Sequence, residues 1–359
     1  MKLLKNGEQP ASNKVIKLKT EELSDKVEPK KVLIRWLASP INPADINQVQ
    51  GVYPAKPPLP AVGGIEGDHV IPLRCGVGTW QTCNYYDEQD LIKIDNDIPV
   101  EAAACFQVNP STAYRMLTDF VDLQPGDLVI QNGANSTVGK AVVQIAHARG
   151  LRTLNVIRKS DHSDSAAKEL KKLGADMVHT EDEMIKELFL TTQETTFLLR
   201  FTAFTAFLYA LVYDLLSNYS TLYLQIKDAK LALNCIGGKS TLILASCLSK
   251  GGVMVTYGGM SKHAIQVPTG PLIFKDIQLK GFWVTGWYAR PENMAVSPIQ
   301  CFSMVLSLEK MAKMFHDLSK LVREGKLKSP DYDKRRLEDY QVAFDIAESG
   351  SGKKQLFVM

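Results

Sequence analysis

Apolar positions change their spacing repeatedly along this chain, most clearly at 127–150. Leu128, Val129 and Ile130 form a short continuous apolar run. Small residues follow, and then Val138, Ala141, Val142, Ile145 and Ala146 recur at helical intervals. The first pattern predicts a buried strand and the second a helix with one face on a sheet. A strand, a tight turn and a helix open a dinucleotide-binding unit, because the unpaired N–H groups and dipole at the helix start favour a pyrophosphate. The usual fingerprint is G-x-G-x-x-G, and here Ala134, Ser136 and Gly139 hold its three positions. Ser136 in place of the middle glycine makes the backbone less open and offers a hydroxyl that can bond a phosphate.

The same alternation continues downstream. Gly150 ends the helix, 152–157 reads as the next strand, 170–173 is helical, and Gly174 stops it. Strands follow at 177–178, 231–234, 253–257 and 277–284, which predicts a parallel, doubly wound sheet. Before about residue 105 the pattern is shorter. Strand pieces at 31–37, 76–80 and 91–94, separated by turns rich in Pro and Gly, predict a small antiparallel barrel. Helical material begins at 99–105, and Ser111 or Thr112 is placed to cap a helix over 113–117. Near the end, Met311, Met314, Phe315, Leu318, Leu321 and Val322 mark an amphipathic helix closed by Gly325, with its methionines in the core.

With 359 residues the chain has room for two domains, and 45% hydrophobic against 23% charged residues fits a globular protein. A net charge of +3 is too small to argue for nucleic acid or an anionic membrane. Six scattered cysteines form no C-x-x-C pair and no zinc-ligand spacing, so free thiols and no metal are expected. The first twenty residues look like neither a signal nor a transit peptide. Gly238-Lys239-Ser240 lacks the earlier glycine of a phosphate loop. The apolar stretch at 189–225 is interrupted by Arg200 and Asp214, and both its flanks belong to one sheet. It predicts a docked helix rather than a membrane span.

The chemistry sits on loops. A run dense in Pro, Asn and Asp covers 39–54, and loops of that kind carry functional side chains more often than core. Where the dinucleotide fingerprint expects an acid for the ribose hydroxyls, this chain has Arg158, Lys159 and Ser160. An acid would repel a 2′-phosphate, whereas a guanidinium and an ammonium bind it, so the cofactor read here is NADPH.

Several runs together, SPINPADINQVQGVYP, AVGGIEG, GVGTWQT, QVNPSTAYRML, QPGDLVIQNGANSTVGKAVVQIA, ALNCIGGKS, VTYGGM and IFKDIQLKGFW, resemble the mitochondrial trans-2-enoyl-thioester reductases. These belong to the zinc-free branch of the medium-chain dehydrogenase/reductase superfamily. The resemblance implies an α/β fold with a GroES-like β-barrel catalytic domain over 1–108, its barrel truncated. It implies a Rossmann doubly wound parallel sheet over 109–309, with an insertion near 189–225, and a return to the catalytic domain over 310–359. It implies NADPH-dependent reduction of a 2-enoyl thioester on acyl carrier protein or coenzyme A, in mitochondrial fatty acid synthesis, by a homodimer. Tyr53 matches the family's proton donor, and a phenol protonated at neutral pH suits that role. Asn109, Asn135, Ser136, Thr137 and Val138 match its cofactor and phosphate contacts, and Arg158, Lys159 and Ser160 its 2′-phosphate contacts. Tyr257, Gly258, Gly259 and Met260 match the run beside the nicotinamide. Phe282, Trp283 and Val284 match the run closing that pocket, and Lys354 matches a lysine at the cofactor.

The chain departs from the family in three places. A block is missing after Gly67, and segments are added at 189–225 and about 294–308. A quinone reductase-like activity, or an inactive NADPH-binding role, stays open on the sequence alone.

Overall fold

The computed structural model describes residues 2–3, 16–23, 28–29, 31–50, 69–72, 78–87, 90–186, 188, 226, 228–290, 301–350 and 353–359. Tyr53, the missing block after Gly67 and the added stretch at 189–225 lie outside them, as do residues 291–300. The chain divides into two compact units, Thr112–Trp283 and a second made of Met1–Ser111 with Val284–Met359.

The middle unit is built on a six-stranded sheet. Its strands are β1 (Leu128–Asn132), β2 (Arg152–Ile157), β3 (Met177–Thr180), β4 (Ala229–Asn234), β5 (Leu248–Thr256) and β6 (Gln278–Gly281). They lie in the order β3-β2-β1-β4-β5-β6, and every pairing is parallel. Every residue of β1 is buried, which is why its sequence reads as an unbroken run rather than an alternation. Helices α1 (Thr137–Ala148), α2 (Ser163–Lys172) and α3 (Ser240–Cys247) divide between two packed layers. Leu154, Val156, Ala232 and Met254 pack with Ile243 and Leu244 of α3. Ile157 instead packs with Val143 of α1 and Leu170 of α2. Adjacent residues of β2 thus serve opposite faces, the period-two consequence of a pleated strand.

Element boundaries differ from the apolar pattern in both directions. The strand expected at 277–284 ends at Gly281, with the Phe282 N–H donating to the Thr256 carbonyl at 2.9 Å as its last rung. Val284 then opens a short helix, Val284–Tyr288. The helix expected over 113–117 already begins at Asn109. Ser111 does not cap it: its hydroxyl donates back to the Phe106 carbonyl at 2.6 Å.

In the other unit, Lys31–Arg35 pairs antiparallel with Cys83–Asp87, and Val70–Pro72 with Leu91–Lys93. Lys354–Val358 runs between Tyr332–Arg335 and Ala38–Pro40. Among the described residues these strands pair as small separate sheets. Residues 78–80, expected as part of a strand, are not one. Trp80 instead places its ring edge-on to Phe344 and Phe357, at 5.0 and 6.0 Å. Helices Pro43–Val49 and Tyr340–Ser349 supply Ile46, Val49, Ala343 and Phe344 to the same cluster. Met311 and Met314 of helix Cys301–Arg323 are buried, as core methionines should be. No described helix is long and apolar enough to cross a membrane.

Phe344 is fully buried at the centre of this cluster. Phe344→Ala is expected to lower unfolding free energy by about 3–5 kcal/mol, read as a shifted urea midpoint. An unmoved midpoint would mean that Trp80 and Phe357 close over the gap.

Candidate functional site

Because all six strands run parallel, the turns after β1, β2, β4, β5 and β6 gather along one edge of the sheet. Chain order reverses between β1 and β4, the place where open sheets of this kind hold ligands. After β1 the backbone turns at Gly133, with φ of +59°, a conformation that glycine enters without steric cost. Ser136 is the N-cap of α1, and its Oγ accepts the Gly139 N–H at 3.1 Å. That bond uses a lone pair and leaves the serine O–H as a donor. A Cβ on Gly139 would lie 2.4 Å from the Ala134 carbonyl oxygen, so only glycine lets the helix start this close to the turn. Asn135 is exposed, and Ser136, Thr137 and Val138 are half-buried.

Arg158, Lys159 and Ser160 follow β2 and are all exposed. The Ser163 hydroxyl accepts the Ser160 N–H and donates to the Ser160 carbonyl, each at 2.7 Å, which closes this turn. Lys159 pairs loosely with Asp182 at 3.5 Å, a surface contact of small energy.

After β5, residues Tyr257, Gly258, Gly259 and Met260 run back over the turn that follows β4. The Tyr257 N–H donates to the Asn234 carbonyl at 3.0 Å and the Met260 N–H to the Cys235 carbonyl at 3.1 Å. A Cβ on Gly258 would meet that same carbonyl at 2.8 Å. The Tyr257 hydroxyl is buried without a partner at hydrogen-bonding geometry among the described residues, beside the Cys235 thiol and the Ser136 hydroxyl. Burial, and then the charge of a Cys235 thiolate, push this phenol well above its usual range. Phe282 is buried, edge-on to Phe120 at 5.7 Å, while Trp283 is 45% exposed and Met260 60%.

The remaining predicted residues sit in the other unit. Lys354 is half-buried, and its Nζ donates to Asn42 Oδ1 at 2.7 Å and to the Ile41 carbonyl at 3.3 Å. Burial lowers its pKa, opposed by Cys105 and Asp45. The Asn42 N–H donates to the Asp45 carboxylate at 2.7 Å, the N-terminal box of helix Pro43–Val49. Burial pushes the Asp45 carboxyl up to about 6 against that bond and the Lys354 charge. Asn109 is buried, with an Oδ1 that has no partner among the described residues. Val284 is buried at the start of its helix. Tyr53 lies outside the described residues, three positions after Gln50 in the chain.

A mitochondrial enoyl-acyl-carrier-protein reductase of Caenorhabditis elegans is 45% identical over 361 residues, covering 96% of this chain and 91% of that protein. This chain belongs to that family. A family model described as a zinc-binding dehydrogenase matches residues 137–297. Among the described residues, no group of three or more His, Cys, Asp or Glu is placed to hold a metal ion. The mitochondrial 2-enoyl thioester reductase heterodimer of Candida tropicalis superposes with a TM-score of 0.75 at 29% identity, over 98% of this chain and 97% of that one. The complex of Etr1p with NADP and crotonyl-CoA gives 0.73 at 30% identity, over 94% and 93%. The α/β fold of the reductase family, with its parallel six-stranded sheet, is therefore the fold of this chain.

Sequence reasoning passed over Asn132, Asn234 and Cys235, and reached Asn42 and Asp45 only as polar members of the 39–54 run. A signal existed for two of them: Asn132 and Asn234 end mostly apolar strands, LVIQN and AKLALN, and both are fully buried.

Asp45 carries a pH prediction. Its folded-state pKa, about 6, lies above the ordinary carboxyl value, so the folded protein holds this proton more tightly than the unfolded chain does. The resulting stability is present in acid and is lost as pH rises through about 6. Between about pH 4 and pH 8, the wild type should lose up to about 3 kcal/mol relative to Asp45→Asn. Urea unfolding across that range checks it, and a pH-independent difference would remove the burial argument.

Proposed function

We propose that this chain reduces trans-2-enoyl thioesters, carried on acyl carrier protein or coenzyme A, to saturated acyl thioesters with NADPH, in mitochondrial fatty acid synthesis. The observation that carries the reading is the sheet edge itself. A glycine-dependent phosphate turn after β1 stands beside an exposed cationic turn after β2, which has no acid among Arg158, Lys159 and Ser160. The relatives support the substrate: one is named an enoyl-acyl-carrier-protein reductase, and a structural neighbour was solved with NADP and crotonyl-CoA.

These residues fit a nicotinamide dinucleotide phosphate. The close approach at Gly139 and the Ser136 cap leave helix-start N–H groups, with Asn135, Thr137 and Val138, for a pyrophosphate. The Arg158 guanidinium and Lys159 ammonium, with the Ser160 hydroxyl, suit a 2′-phosphate. Tyr257, Gly258, Gly259 and Met260, with Phe282, Trp283 and Val284, are assigned to the nicotinamide side, and Asn109 and Lys354 to further cofactor contacts. The buried oxygens of Asn109 and Tyr257, without a hydrogen-bond partner among the described residues, are open to a polar group of a bound cofactor.

Bound NADPH supplies a hydride to the β-carbon of the enoyl group. Charge then accumulates on the thioester oxygen, and the α-carbon needs a proton. The Tyr53 phenol provides that proton, since a phenol of pKa about 10 stays protonated at neutral pH. Residues 1–108 form the GroES-like catalytic domain in this reading, and 310–359 return to it.

The chain is further proposed to pair as a homodimer. Strand β6 lies at one end of the sheet with all four residues exposed. Ile273 and Phe274, in helix Thr269–Lys275 just before it in the chain, are 66% and 80% exposed. An end strand and large exposed apolar side chains are what a second copy would cover.

Two measurements test these readings. NADPH oxidation with crotonyl-CoA should exceed that with a quinone, and Tyr53→Phe should lower kcat by about a hundredfold or more with little change in the KM for NADPH. Turnover that ignores the substitution removes Tyr53 from the mechanism, and a preference for quinone favours the alternative activity. Sedimentation should give a dimer that Phe274→Glu weakens. A monomeric wild type would end the pairing proposal.

A further inference from the structure

Two of the runs assigned to the cofactor, the phosphate turn and Tyr257–Met260, are joined by a segment that has no assigned role, the turn at 235–237. A Cβ on Gly133 of the phosphate turn would meet Ile236 Cδ1 at 3.1 Å and Cys235 Cβ at 3.4 Å. On its other side the turn receives the Met260 N–H at the Cys235 carbonyl, 3.1 Å, and the Ser261 N–H at the Ile236 carbonyl, 2.9 Å. The turn is therefore the physical link between the phosphate turn and the Tyr257–Met260 run.

Two buried asparagines hold it. Asn132 Oδ1 accepts the Cys235 N–H at 2.7 Å and the Ile236 N–H at 3.3 Å. Its Nδ2 donates to Asn234 Oδ1 at 2.9 Å and to Ser240 Oγ, at the start of α3, at 3.0 Å. Asn234 Oδ1 also accepts the Gly237 N–H at 2.9 Å, and its Nδ2 donates to Thr256 Oγ1 at 3.1 Å. Both side chains are 0% exposed. They stand on β1 and β4, the neighbouring strands where chain order reverses. At their carboxyl ends the turn's three successive N–H groups have no strand partner, and the two amides supply acceptors for all of them.

We propose that Asn132, acting with Asn234, is a positioning residue for cofactor binding: the pair sets the 235–237 turn, and through it Tyr257 and Met260, in register with the phosphate turn. The inference rests on the NADPH reading above. Both asparagines are fully buried and act only through the 235–237 turn, which borders the runs assigned to the nucleotide, so the effect falls on the affinity for the nucleotide and not on the affinity for the thioester.

Asn132→Leu strips partners from two N–H groups and from the Asn234 and Ser240 oxygens. Asn234→Asp is the conservative counterpart. It still accepts from Asn132 Nδ2 and the Gly237 N–H, and the Thr256 hydroxyl can turn to donate to it. The test measures the NADPH Kd by quenching of protein fluorescence, and the KM values for NADPH and crotonyl-CoA, in the full chain. Wild type must bind NADPH, and its failure to do so defeats the functional reading instead. Given that binding, Asn132→Leu should raise the Kd and KM for NADPH about tenfold or more, with the crotonyl-CoA KM within about twofold. Asn234→Asp should recover most of the affinity. An unchanged NADPH Kd in Asn132→Leu, or equal losses for both ligands, overturns the proposal. If Asn132→Leu does not fold, Asn132→Asp takes its place: it keeps the acceptors but sets a carboxylate against Asn234 Oδ1. A weaker Kd than that of Asn234→Asp is expected, and equal values overturn the proposal.

Discussion

The approach of α1 to the turn before it is the contact on which the middle unit depends. At Gly139 even a single added carbon would lie 2.4 Å from the Ala134 carbonyl oxygen. The same residue offers its own carbonyl to Gln131 Nε2 at 3.0 Å, and that amide also donates to Asn155 Oδ1 at 2.8 Å. Asn155 in turn donates to the Met177 carbonyl at 3.0 Å. Moving the helix outward to admit a side chain would loosen three strands together, because the polar chain from Gly139 to Met177 crosses β1, β2 and β3. A helix position set by one close approach is thereby shared with the register of the sheet.

Most of the sheet is packed between apolar side chains, which makes its carboxyl end exacting. An unmatched polar group in such surroundings costs about 1–3 kcal/mol. Apolar strands also tolerate a two-residue slip, since that keeps the same faces buried. Amides do not tolerate it: Asn132 and Asn234 meet their partners in only one register. The buried amides therefore supply directional information that Val129, Leu231 and Val255 lack. The other unit uses charge in a comparable way. Lys354 on the strand and Asn42 at the helix start are tied directly, and Asp45 answers both through burial and proximity.

Much of the middle unit could be read from the chain because strand and helix periods are local. LVIQN, RTLNVI and AKLALN announce buried strands, and their parallel arrangement follows from alternation with helices. The cationic turn after β2 was legible too, since its position along the chain is tied to the fingerprint. What escaped were properties of distance. Nothing local says that Asn132 and Asn234, 102 positions apart, share a hydrogen bond. Nor does any local pattern bring Lys354 to Asn42, or turn Trp80 from a strand residue into a plug between Phe344 and Phe357. Ser111 was misread as a cap because the helix began two residues earlier, where its hydroxyl reaches Phe106 instead.

The serine in the fingerprint shows how one departure is absorbed. A glycine at position 136 would open the turn to a close ligand but would leave the Gly139 N–H without its cap. Ser136 satisfies that N–H at 3.1 Å with a lone pair and keeps its O–H directed elsewhere. The side chain thus replaces an open backbone with one donor fixed by the helix it caps. Tyr257 then closes the arrangement from the β5 side, its phenol buried beside Ser136 and Cys235 and kept protonated by that burial. Two O–H donors are held where the strand ends meet, one by a cap and one by desolvation, and the turn at 235–237 keeps the second in step with the first.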